Sequence, residues 1–185
     1  MKEFFHKYGY SIVKMFVNQV AISLFGSTLA MATLSSENDT LTALVSAGAV
    51  FFYMFLLYIM TWEIGAKDRI SVDIGKKEYK PLTGITMSLI ANIPTFILFI
   101  LFAIYSNTSS NVLGAIVAIS RIIIEGMFVG LMAVVKIGEN ALHDIWWAYL
   151  VITLPAIATC GLAYFLGHKN FRFTSWFNYK DPNKK

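Results

Sequence analysis

Charge is what this chain has least of. Only 14% of its residues are Asp, Glu, Lys or Arg, against roughly 25% in an average soluble domain. A chain so poor in charge cannot cover a water-facing surface, and 57% hydrophobic residues confirm that the deficit is filled with apolar groups. Cysteine is nearly absent too. Cys160 stands alone, which excludes an intramolecular disulfide and a cysteine metal cluster. The three histidines are His6, His143 and His168, too scattered for the three or four ligands of a metal centre. No HExxH, GxSxG or phosphate-binding loop occurs, so a non-enzymatic protein without metal or cofactor is expected. The bases lie beside apolar runs, where they act on membrane topology and anionic lipid, and nothing in their arrangement suggests nucleic acid.

What is present is a set of long apolar runs. Five reach the roughly 20 residues that a helix needs to cross the hydrocarbon core: residues 11–33, 41–64, 82–105, 112–136 and 145–167. The expected fold is an all-α, polytopic transmembrane bundle of about five spans, forming a single domain. The N-terminus has bases before a full-length apolar run, so it reads as a retained span, not a cleaved signal. The segment GAKDRISVDIGKKEYKP carries Lys67, Arg69, Lys76, Lys77 and Lys80, while SSENDT and SNTSSN carry no base. The positive-inside rule then puts the first of these and the N-terminus in the cytoplasm. Trp62, Trp146 and Trp147 are expected as interface anchors on that side, beside Lys136. Alternation of Ile70, Val72 and Ile74 with Arg69, Ser71 and Asp73 before Gly75 predicts a short hairpin in the cytoplasmic loop. Five crossings would put the tail, residues 168–185, outside despite its bases. An even number, for instance with residues 112–136 re-entrant, would bring it inside. Its aromatic residues suit an interfacial segment, and its last residues read as disordered.

The fourth run, VLGAIVAISRIIIEGMFVGLMAVVK, is the exceptional one. Arg121 and Glu125 fall near its middle, four residues apart, on one face of a helix. A charge at the bilayer centre costs about 3 kcal/mol on insertion scales, so both are expected to face the bundle interior and to pair with each other or with nearby polar groups. Gln19 of the first run and Asn92 of the third are the candidate further members of this polar intramembrane site. Ser23, Ser88, Thr95, Thr153 and Thr159 are ordinary interhelical glue by comparison. Small residues at helical spacing, Gly26 and Ala30 in the first run and Gly126, Gly130 and Ala133 in the fourth, predict close helix packing. In KIGENALHDIWW, Glu139, His143 and Asp144 read as a solvated turn.

The phrases LYIMTWEIGAKDR, GITMSLIANIPTF and LPAIATCGLAYFLGHKN resemble a group of small polytopic membrane proteins of low-GC Gram-positive bacteria, to which no activity attaches. That resemblance implies a bacterial cell membrane and covers most of the chain. Gly26 and Ala30 are also similar in spacing to the small-residue motif by which substrate-binding subunits of energy-coupling-factor transporters dock a partner, although those have about six helices. The leading function is a transport or transport-accessory component with a polar intramembrane site, in an oligomer or complex; the alternatives are a structural or regulatory subunit that binds a partner helix, a substrate-binding subunit of the energy-coupling-factor kind, and an intramembrane enzyme of unspecified type. The ligand stays unspecified. A cavity at Arg121 and Glu125 would favour the first function. A sealed pair with an exposed small-residue groove would favour the second.

Overall fold

Two long helices set the frame. A computed structural model describes residues 2–171 apart from 37, 77 and 109. In it α1 spans Lys2–Leu34 and α2 spans Asp39–Asp73. Asn38 separates them as an N-cap, its side chain accepting from the Leu41 amide at 3.0 Å, which satisfies one of the free donors at the helix start. The buried stripe of α1 runs Tyr8, Ile12, Met15, Gln19, Ser23, Gly26, Ala30, Thr33, and that of α2 Thr42, Ser46, Ala49, Tyr53, Leu57, Thr61, Gly65, Asp68. Both step by three or four residues, one face of a helix. These stripes are rich in small and hydroxyl residues, while Phe25, Met31, Leu44, Phe51 and Phe55 point outward. That is the reverse of a soluble helix and the pattern of helices packed through small residues in lipid.

The remaining elements are α3 (Thr83–Ala91), α4 (Ile93–Thr108), α5 (Asn111–Glu125), a 3-10 turn at Gly126–Phe128, α6 (Val129–Val134), a two-stranded hairpin of β1 (Lys136–Ile137) and β2 (Asn140–Ala141), α7 (Ala148–Val151) and α8 (Leu154–His168). Four helices, or five when α3 and α4 are joined across their 49° bend, are long and apolar enough to cross a bilayer. The expected helical membrane fold is therefore present.

The course of the chain differs from five alternating crossings. Helix α2 runs antiparallel to α1, with Asn18 against Met60 and Lys7 against Asp68. Helix α8 runs parallel to α2: Thr159 meets Met54, Gly65 meets Tyr164, and Gly167 meets Trp62 and Ala66. A Cβ on Gly65 or Gly167 would collide with backbone of the facing helix, so these two glycines set how closely α2 and α8 approach. Helix α8 thus ends beside the start of α1, not at the opposite end as five crossings require.

The reason lies between α3 and α6. Helix α3 starts at the same end, with Gly84 against Cys160 and Tyr164. Pro94 has no N–H to continue the ladder, and the helix bends there. Gln19 donates through one amide nitrogen to Thr95 Oγ1 at 3.0 Å and to the Ile124 carbonyl at 3.2 Å. The chain therefore leaves the level of Gln19 with α4 and returns to it at the end of α5. Helix α6 then completes the passage, its Gly130 against Thr42 and Ser46 at the start of α2. Helices α3 and α6 together thus carry the chain from the end of the bundle where α1 begins to the end where α2 begins.

Three further expectations change with this course. The hairpin expected at Ile70–Ile74 is absent, because α2 continues as helix to Asp73. Arg69 and Asp73 form an i,i+4 ion pair at 3.4 Å, and at about 1.5 Å per residue the 35 residues of α2 outreach a core of about 30 Å. A hairpin forms instead at Lys136–Ala141, with Ile137 opposite Asn140 and Gly138 at φ 65°. A glycine of positive φ at the first central position is what a two-residue hairpin turn accepts. Lys136, Trp146 and Trp147 follow α6 and stand toward the end where α2 begins, away from Trp62. The tail beyond Phe171 lies outside the described residues.

Candidate functional site

Two buried carboxylates organise the polar interior. The first is Asp68, 2% exposed. It accepts from Lys7 Nζ at 2.6 Å, from the Tyr8 hydroxyl at 2.5 Å and from the Tyr164 hydroxyl at 2.7 Å. Lys7 and Tyr8 belong to the first turns of α1, Asp68 to the end of α2 and Tyr164 to the end of α8. One carboxylate thus ties three helices. Tyr79, in the segment before α3, stacks on His168 with ring centroids 3.9 Å apart and lies parallel to Tyr164 at 6.5 Å. Trp62 donates its indole N–H to the Phe171 carbonyl at 2.7 Å, holding the chain as it leaves α8. Charge-assisted hydrogen bonds of this kind are the strong ones, and a charge held by several donors can remain buried.

The second is Glu125, also 2% exposed. Neither carboxylate oxygen has a hydrogen-bond partner. The expected pairing with Arg121 is not made. Arg121 donates through Nη2 to the His143 carbonyl at 2.9 Å, and its guanidinium lies over Tyr149 at 4.6 Å and Phe102 at 5.2 Å. Planar guanidinium stacks well on aromatic faces, and these contacts draw it toward the α7 side. The same His143 carbonyl accepts from the Tyr149 hydroxyl at 3.0 Å.

Glu125 is the last residue of α5, where the α-helix tightens into the 3-10 turn. Helix ends leave carbonyls without partners, and the Ile124 carbonyl is completed from α1, by Ser23 Oγ at 2.7 Å and by Gln19. Gly126 permits this approach, since a Cβ there would strike the Ser23 carbonyl. Gln19 is thus brought next to Glu125 through the backbone of Ile124. Asn92 is not. Its amide donates to the Ser88 carbonyl at 2.8 Å within the α3–α4 break, so it supports the bend and does not join the charges.

A cavity of about 250 Å³ opens beside Glu125, walled by Ala118, Arg121, Ile122, Met132 and Tyr149 among others. A second, of about 340 Å³, lies on the other side of Arg121 against Phe102, Tyr105, Gly114 and Asp144. Arg121 and His143 border both. Glu139 sits in the hairpin turn and shares no helix face with His143, which approaches Asp144 at 3.2 Å. Among the described residues no group of three His, Cys, Asp or Glu could hold a metal ion.

The small residues are consumed inside the chain. Gly26 packs on Met127, Gly126 on Ser23 and Ser27, and Gly130 on Ser46 and Thr42. Ala30 is buried, and Ala133 borders the cavity at Glu125. Sequence reading missed Asp68 and its three donors because all four residues look like ordinary polar ends of spans. A signal was present: Asp68 continues the three-and-four spacing Leu57, Thr61, Gly65 by one more step. No family model matches the chain, nor does any curated protein or solved structure.

Proposed function

We propose that this integral membrane protein is a non-enzymatic transport or transport-accessory component that takes a small solute into the cavity between Arg121 and Glu125. The observation that carries the reading is Glu125: buried, without a partner for either oxygen, and on the wall of a cavity. Unpaired ionisable groups at membrane depth are expensive and mark substrate or ion pathways by default. Against the competing role of partner-binding subunit stands the internal use of Gly26, Gly126 and Gly130, which leaves no open small-residue groove at those positions. The setting is a cell membrane, with the end of the bundle that carries Lys2, Lys7, Lys67, Arg69, Lys76, Lys80 and Lys169 in the cytoplasm. Lys136 is the one base at the other end among the described residues, a bias in keeping with the positive-inside rule.

The test is purification from native membrane followed by mass spectrometry of the intact protein. A small molecule retained by the parent and lost from Glu125→Gln is the expected result. A stoichiometric protein partner with no small molecule, unaffected by Glu125→Gln, would give the role to the regulatory subunit instead. Orientation is read separately, because the sole native thiol, Cys160, is buried. A cysteine at Asp73 should resist an impermeant thiol reagent in intact cells, and one at Glu139 should react.

A further inference from the structure

The lining of the Glu125 cavity narrows the chemistry of its ligand, and we infer that the site receives a small zwitterion, with its ammonium on Glu125 and its acid group on Arg121. This rests on the solute-binding reading above. Both Glu125 oxygens are buried and without a hydrogen-bond partner. Arg121 presents five N–H donors, of which one nitrogen is engaged by the His143 carbonyl. Both belong to the wall of one cavity, which His143 and Tyr149 also line and which Ala118, Ile122, Val129, Met132 and Ala133 complete with apolar groups. Spacing of four residues on α5 puts the two charges one helical turn apart, about 5–6 Å between their Cβ atoms. A molecule carrying both signs a few bonds apart meets both groups at once.

Other ligand classes fit less well. A plain organic cation would gain Glu125 but face the neighbouring guanidinium, and the aromatic faces of Tyr149 and Phe102 are already covered by Arg121. A plain anion would meet Arg121 with a carboxylate beside it. Hard metal cations take six or more oxygen ligands, and this cavity offers one carboxylate beside a guanidinium, with His143 and Tyr149 as its other polar members. The volume, about 250 Å³, lies below the usual range of drug-sized pockets and suits a molecule of amino-acid size. The same pair of charges occurs in a free amino acid and in an ethanolamine phospholipid headgroup, so the source must be separated by experiment.

Binding is measured by thermal shift and by calorimetry on the full chain. The free probes are alanine, leucine and phenylalanine, each with its decarboxylated amine and its deaminated acid. The lipid arm compares nanodiscs of phosphatidylglycerol alone with nanodiscs containing phosphatidylethanolamine. The inference expects the zwitterion of at least one set, or the ethanolamine lipid, to bind while both single-charge partners are weaker by about tenfold or more. Glu125→Gln and Arg121→Gln should each remove that preference, and Arg121→Lys should restore part of it. If Arg121→Gln proves too unstable, Glu125→Gln and Arg121→Lys carry the test. An amine that binds as well as its amino acid, with loss only in Glu125→Gln, would overturn the zwitterion while leaving solute binding in place. No response to any probe, in a parent that retains a different small molecule from the membrane, would overturn it likewise. No response together with no retained molecule would sink both readings.

Discussion

Asp68 and Glu125 are buried to the same extent, 2% exposed each, and differ in everything else. Asp68 receives an ammonium and two phenolic hydroxyls from other helices. Glu125 receives none, and a cavity lies beside it. Asp68 closes the basic end of the bundle where α1, α2 and α8 meet. Glu125 sits at a break between two helical segments. Burial alone therefore says little about the role of a carboxylate. A buried charge with all its donors in place is a structural tie, whereas one without donors is kept at a cost in stability and is the better candidate for function.

The largest effect is expected from removing the tie. Asp68→Leu strands Tyr8, Tyr164 and Lys7 together, and breaking one side of such a buried network costs about 3–5 kcal/mol. Thermal unfolding in detergent should show a steep fall, and parent-like stability would refute the structural assignment. Next in size is Gly65→Ala, which must push α8 away from α2 because the new methyl meets the Tyr164 carbonyl. Overpacking of this kind costs about 1–3 kcal/mol, and it should also weaken the Asp68–Tyr164 contact one turn away. Of the same order are Tyr8→Phe and Tyr164→Phe, each worth about 1.5–3 kcal/mol as a hydrogen bond to a charged group. Each should be strongly non-additive with Asp68→Asn in a double-mutant cycle, since the residues share one network; additivity would show that the hydroxyls are not held by Asp68. The smallest effect is expected at the other carboxylate. Glu125→Gln keeps the shape and removes an unpartnered acidic group, so stability should match or exceed the parent. Should it fall as far as Asp68→Asn, Glu125 has a structural partner and the contrast between the two sites collapses.

The stripe Gln19, Ser23, Gly26, Ala30 was legible without coordinates, and so was the inward placement of Glu125. Both follow from helical periodicity and the cost of charge in hydrocarbon, which are local. The pairing of Arg121 was not legible. Its strongest partner is the backbone carbonyl of His143, and a carbonyl carries no residue-specific signature.

The course of the chain divides the same way. Apolar length and the scarcity of charge determined, by themselves, that this is a helical membrane protein with about five apolar helices, because a spanning backbone must satisfy its own hydrogen bonds. They could not determine that α8 ends beside α1. Hydropathy counts how much of each segment is apolar and is blind to direction. Direction was decided by Gln19 holding Thr95 and Ile124 at one level and by Gly65 and Gly167 letting α8 lie parallel on α2. Contacts between residues so far apart in sequence exist only once the helices have packed, and in lipid it is packing and polar contact that choose among arrangements.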